Sequence, residues 1–130
     1  MVSSVATVSH ITQFETASLD HEQLGSLYNQ LGAIGAEEVV QRAMEELSLR
    51  LHEAEGIYRD GDLNKLRKGL RTLTAIAEQI GMQKLARVAT DVIECIDRGD
   101  STSLAATFSR LTRLGETSLT ALWDLQDFTI

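Results

Sequence analysis

From Asp20 onward, apolar residues recur at helical intervals between breaks that carry glycine. Leu24, Leu27, Tyr28 and Leu31 line one face of a short first helix, with Asp20 as its cap and Gln23 as the capping-box partner. The stretch from Gly32 to Gly35 breaks that face. A long second helix is predicted over about residues 37–59, with Val40, Ala43, Met44, Leu47, Leu51, Ala54 and Tyr58 turned inward. Its other faces carry Glu37, Glu38, Glu45, Glu46, Glu53 and Glu55. Asp60-Gly61-Asp62 ends it, Gly61 suiting a left-handed C-terminal cap and Asp62 capping the next helix.

The third predicted helix, residues 63–80, has the cleanest pattern. Leu63, Leu66, Leu70, Leu73, Ala77 and Ile80 alternate steps of three and four residues, the seam of a helical bundle. Gly81 closes it. A fourth helix, residues 83–97, buries Leu85, Val88, Ala89, Val92, Ile93 and Ile96, and Arg98-Gly99-Asp100 repeats the glycine-then-aspartate punctuation. The fifth, residues 102–127, carries Leu104, Phe108, Leu111, Leu119, Leu122 and Leu125, with Gly115 as a soft spot inside it. Short connections between long helices force antiparallel neighbours. The predicted fold is therefore all-α: an antiparallel up-down-up-down four-helix bundle over residues 19–130 with an additional short N-terminal helix. Residues 1–18, rich in Ser, Thr and Val, fit either a short helix or a loose arm.

Composition agrees with this pattern. The chain has 130 residues, no proline, and 43 % hydrophobic against 24 % charged residues, enough for one domain with its own core. A single cysteine excludes an internal disulfide, and no apolar run reaches the roughly 20 residues of a membrane span. Met1 to Phe14 lacks both the basic start and the apolar stretch of a signal peptide, so a cytoplasmic location is expected. The net charge of −7 disfavours nucleic acid as a partner. That charge lies entirely in residues 1–58, whereas residues 59–130 are balanced. Against the balance, Arg59, Lys65, Arg67, Lys68 and Arg71 crowd into one stretch, with Arg67, Lys68 and Arg71 off the leucine seam. Such a cluster is either a solvated face or a surface that steers an acidic partner.

Enzyme chemistry finds little support. His10, His21 and His52 form no pair at helical metal spacing, and a lone Cys95 makes no zinc site and has no histidine near it in sequence. Cys95 reads as a buried structural thiol, Arg98-Gly99-Asp100 as a helix cap, and Trp123 and Phe128 as packing residues. Phosphate-binding glycine loops are absent, and no metal or cofactor is implied.

The order of helices and turns resembles the histidine phosphotransfer (HPt) domain family over roughly residues 19–125. The carriers are Asp60-Gly61-Asp62-Leu63-Asn64-Lys65-Leu66, the seam helix ending Gln79-Ile80-Gly81, and Arg98-Gly99-Asp100 before the last helix. In that family the seam helix resembles Leu-x-x-x-x-His-x-Leu-Lys-Gly-x-x-x-x-Leu-Gly, its histidine accepting a phosphoryl group. Laid on residues 66–81, the motif keeps Leu73, Ile80 and Gly81 but puts Arg71 at the histidine, Thr74 at the lysine and Ala75 at the glycine. A guanidinium stays protonated and offers no lone pair to phosphorus.

The resemblance thus implies a non-catalytic, HPt-like member of a two-component phosphorelay. It would bind a response-regulator receiver domain or a histidine kinase without taking phosphate, through Arg67, Lys68, Arg71, Thr74, Ala75 and Glu78. Two alternatives stay open: a true phosphotransfer protein using His52, in His52-Glu53-Ala54-Glu55-Gly56, or an adaptor bundle unrelated to phosphorelay.

Overall fold

The computed structural model describes residues 20–129, with side chains through residue 124. The arm at residues 1–18, His10, and the side chains of Leu125 and Phe128 lie outside the described residues. Within them are four helices and no strand: α1 (His21–Asp60), α2 (Leu63–Gln79), α3 (Gln83–Arg98) and α4 (Ser101–Thr129). The expected all-α class is therefore present.

α1 joins the expected first and second helices across a kink, and the kink falls inside the expected break. Gly32 has φ 75° and ψ 169°, outside the helical range, and the chain returns to helix immediately after it. A side chain in that left-handed region is strained, which is why the break falls on a glycine. Gly35, expected to share in the break, is helical instead. Tyr28 before the bend senses Glu37 beyond it: partial burial first, and that carboxylate second, push its phenol above the usual range.

The punctuation between helices follows the aspartates and glycines. Asp20 Oδ1 accepts from the Gln23 amide at 3.1 Å, and Asp62 Oδ1 accepts from the Lys65 amide at 3.1 Å. Asp100 accepts from the Ser103 amide at 3.0 Å and the Ser103 hydroxyl at 2.7 Å. Those bonds, the amide's first, hold the Asp100 carboxyl below the usual range. At the C-terminal ends the Gly61 amide donates to Ile57 and Tyr58, and Gly99 adopts φ 68° as the cap of α3. The capping box at α1 is only half formed. Gln23 does not reach back to Asp20; the Asp20 amide donates instead to the Gly81 carbonyl at 2.7 Å.

The core follows the leucine seam. Leu66, Leu70, Leu73, Ala77 and Ile80 are completely buried, joined by Met44, Leu47, Met82, Leu85, Leu111, Leu114 and Leu122. Burying each leucine contributes about 1.5–3 kcal/mol before entropy is counted. Each helix packs against the next, and α1 also packs against α4. At that closing interface Tyr58 stacks on Phe108, their ring centroids 4.4 Å apart.

Gly115, expected as a soft spot, is a close-packing site. A Cβ there would lie 2.6 Å from Leu51 Cδ1, so any side chain would have to displace Leu51 of α1. Leu31, Leu63 and Trp123, expected to face inward, are exposed: Leu31 stands beside the Gly32 kink, Leu63 is the first residue of α2, and Trp123 lies in the last third of α4.

Gly69 and Gly81 provide opposite tests. Gly81 is buried at φ 79°, and a Cβ there would lie 2.9 Å from the Asp20 carbonyl oxygen. Gly81→Ala should therefore cost on the order of 1–3 kcal/mol. Gly69 is helical with nothing near its would-be Cβ, so Gly69→Ala should gain about 0.5–1 kcal/mol. Thermal unfolding followed by circular dichroism should show the midpoint falling for the first variant and rising for the second.

Candidate functional site

The seam fixes the rotation of α2 and so determines what its opposite side presents. With Leu66, Leu70, Leu73 and Ala77 buried, Lys68, Arg71, Ala75 and Glu78 fall on one outward stripe at helical spacing, and all four are exposed. Lys68 and Arg71 form no ion pair with any described residue. Ala75 leaves the middle of the stripe low, and Glu78 stands near the end of the helix.

The other two expected site residues sit on the flank that faces α3. Arg67 is half-buried, with 30 % of its side chain exposed, and its guanidinium forks onto Asp97 of α3. Nε donates to Oδ1 at 2.8 Å and Nη2 to Oδ2 at 3.2 Å. The hydrogen bond with Asp97 raises the Arg67 guanidinium further. The same bond, first, then the charge of Arg67 and more weakly that of Arg71, hold the Asp97 carboxyl below the usual range despite some desolvation. Thr74 is half-buried, and its hydroxyl donates to the Leu70 carbonyl at 2.8 Å, so it is occupied within its own helix. Arg67, Lys68 and Arg71, expected on one exposed face, therefore divide: Arg67 braces α2 against α3, while Lys68 and Arg71 remain available.

Asp97 was not among the candidates read from the sequence. It lies 30 positions from Arg67, and only the packing of α2 against α3 brings them together. Nothing in local spacing announces the pair.

The remaining candidates fall elsewhere. His52 is exposed on α1 beside Ser48, Leu49 and Glu53, a neighbourhood without the cations of α2, and His21 is exposed in the first turn of α1. Cys95 is buried as expected, its Sγ 3.7 Å from Thr107 Oγ1 and 3.6 Å from Arg98 Nη2. Among the described residues no group of three or more His, Cys, Asp or Glu side chains gathers to hold a metal ion. None of the helices, over the described residues, is long and apolar enough to cross a membrane. An open hollow of about 430 Å³ on α1 is lined by Ile34, Glu37, Glu38, Gln41, Arg42 and Glu45. It combines one exposed apolar side chain with an acidic wall and offers no nucleophile. What the α2 stripe can do chemically is form charge-assisted contacts with an acidic surface.

In comparisons with known proteins, no family model matches the chain, and neither a curated protein nor a solved structure matches it.

The Arg67–Asp97 pair makes a prediction about pH. A carboxyl held below its ordinary value by folding contributes stability that is complete above the usual carboxylate range and fades as pH falls through the depressed value. Urea midpoints measured across the acid range should show that Asp97→Asn is less stable than wild type near neutrality and converges on it at low pH. Because both side chains stay in contact with solvent, the neutral-pH difference should be modest and should shrink in roughly 1 M salt.

Proposed function

We propose that this chain is an HPt-like docking module that binds a response-regulator receiver domain, or a histidine kinase, without accepting phosphate. The observation that carries the reading is Arg71: an exposed guanidinium in the middle of α2, free of ion pairs with described residues, at the position the family motif gives to histidine. The helical course we infer is antiparallel, up-down-up-down. Two pairings support it: Arg67 near the start of α2 meets Asp97 near the end of α3, and Tyr58 near the end of α1 meets Phe108 near the start of α4.

The chemistry of the stripe determines what it can bind. Arginine has no lone pair for nucleophilic attack but presents planar donors that match a carboxylate in bidentate fashion. As the resemblance implies, a receiver's phosphoacceptor pocket is rich in carboxylates. Arg71 would pair with that pocket, Lys68 would add attraction at longer range, and Ala75 would permit close approach where the motif has glycine. Such a module occupies the receiver or senses its state, and passes no phosphoryl group onward. The absence of imidazole from the stripe, and the exposure of His52 in a register that puts Glu55 where the motif has lysine, favour this over phosphotransfer through His52.

Isothermal titration of purified receiver domains against the wild-type chain should give saturable binding. Arg71→Ala should weaken it by about tenfold or more, the loss of one charge-assisted pair, with an unchanged helical spectrum. Binding indifferent to Arg71 would reject this mode. Incubation with a phosphorylated receiver, followed by mass spectrometry under neutral conditions, should find no phosphoryl group on the chain. A phosphohistidine at His52 would overturn the reading.

A further inference from the structure

Gly32 divides α1 into a short N-terminal segment, residues 21–31, and a long body. Gly32 leaves the helical range, so the two parts meet at a kink and not as one straight helix. The segment is tied down at its other end by polar contacts to the corner between α2 and α3. The Asp20 amide donates to the Gly81 carbonyl at 2.7 Å. The Gln23 side-chain amide donates to the Glu78 carbonyl and, at 3.3 Å, to the Gln79 carbonyl. Gln23 Oε1 in turn accepts from Gln83 Nε2 at 2.8 Å. Glu78 and Gln79 supply carbonyls from the last turn of α2, the Glu78 carbonyl also accepting from the Gly81 amide at 3.3 Å. One glutamine side chain thus spans the end of one helix and the start of the next.

Between this attachment and the bend, little apolar surface is covered. Leu24 is buried and Leu27 and Tyr28 are half-buried, but Gly25, Ser26, Asn29, Gln30 and Leu31 are exposed. The body beyond the bend buries Ala36, Val40, Ala43, Met44, Leu47, Leu51 and Ala54. The two parts of α1 are therefore anchored by different means: the body by its core, the segment by Leu24, a half-buried Leu27 against the core and a set of solvent-reachable hydrogen bonds.

We propose that residues 21–31 form a hinged strap that opens as a unit about Gly32, with Gln23 as the latch that closes it on the Glu78–Gln83 corner. Opening breaks the latch bonds and uncovers Leu24 while the body of α1 stays packed, so it requires far less than global unfolding. Glu78 belongs both to the latch, through its carbonyl, and to the outward stripe of α2, through its side chain. The strap therefore sets what a partner meets at that end of the stripe. This coupling rests on the docking reading, whereas the strap itself does not.

Hydrogen–deuterium exchange on the free, full-length chain tests the device. Amides in residues 24–31 should exchange at least about tenfold faster than those in residues 43–58, and their rates should respond weakly to low urea, as expected for local opening. Gln23→Ala should accelerate residues 24–31 about fivefold further and leave residues 43–58 unchanged. Gln41→Ala, which removes a bond to Glu45 on the body of α1, should leave residues 24–31 as in wild type. The proposal is overturned if both segments exchange together with the same urea dependence, or if Gln23→Ala moves both equally. Since no partner is present, that failure would leave the docking reading standing, and a failure of receiver binding would leave the strap standing.

Discussion

Complete burial of one side of α2 is the constraint on which the remaining arrangement depends. Leu66, Leu70, Leu73 and Ala77 are packed to zero exposure, and interiors at crystal-like density do not tolerate even a small rotation of the helix that carries them. Once that side is committed, the direction of every other residue on α2 follows from the helical repeat. Arg71 points outward because Leu70 and Leu73 point inward. The flank carrying Arg67 and Thr74 is turned toward α3, where Arg67 finds Asp97 and Thr74 turns back on its own backbone. A face for partners and a brace for the bundle are thus two results of one packing decision.

This division gives neighbouring cations different roles. Arg67 and Arg71 are four residues apart and chemically identical, yet one is held in a fork and the other is open. Asp97 takes its hydrogen bonds from Arg67 and feels the charge of Arg71 only weakly, so Arg71 stays available to a carboxylate from outside.

Much of the fold was legible because its signals are local. The alternating steps along α2, the aspartates that cap α1, α2 and α4, and the glycines at 61, 81 and 99 all act within a turn or two of their own position, so residue order alone reveals them. The outward placement of Lys68, Arg71, Ala75 and Glu78 followed from the same periodicity. What escaped depends on chain segments far apart. Gln23 was read as a capping-box partner for Asp20, whereas its side chain crosses to Glu78 and Gln79. Gly115 was read as a weakness, whereas it is the site where Leu51 fits. Asp97 carried no mark of its partnership with Arg67. Leu31, Leu63 and Trp123 continue apolar faces by period but are exposed, and periodicity carries no information about what covers a face.

The packing order of the helices also bears on how quickly the molecule assembles. Consecutive helices pack against one another, and distant parts of the chain are joined at the α1–α4 interface, with Tyr58 on Phe108, and where Asp20 and Gln23 meet the α2–α3 corner. Such a topology has low contact order, and helical bundles of this kind reach the native state in microseconds to milliseconds. With no proline in the sequence, no prolyl isomerisation can add a phase of tens of seconds. Loop-closure entropy is spent at these distant contacts, and at the α1–α4 one the missing side chain of Gly115 leaves room for Leu51.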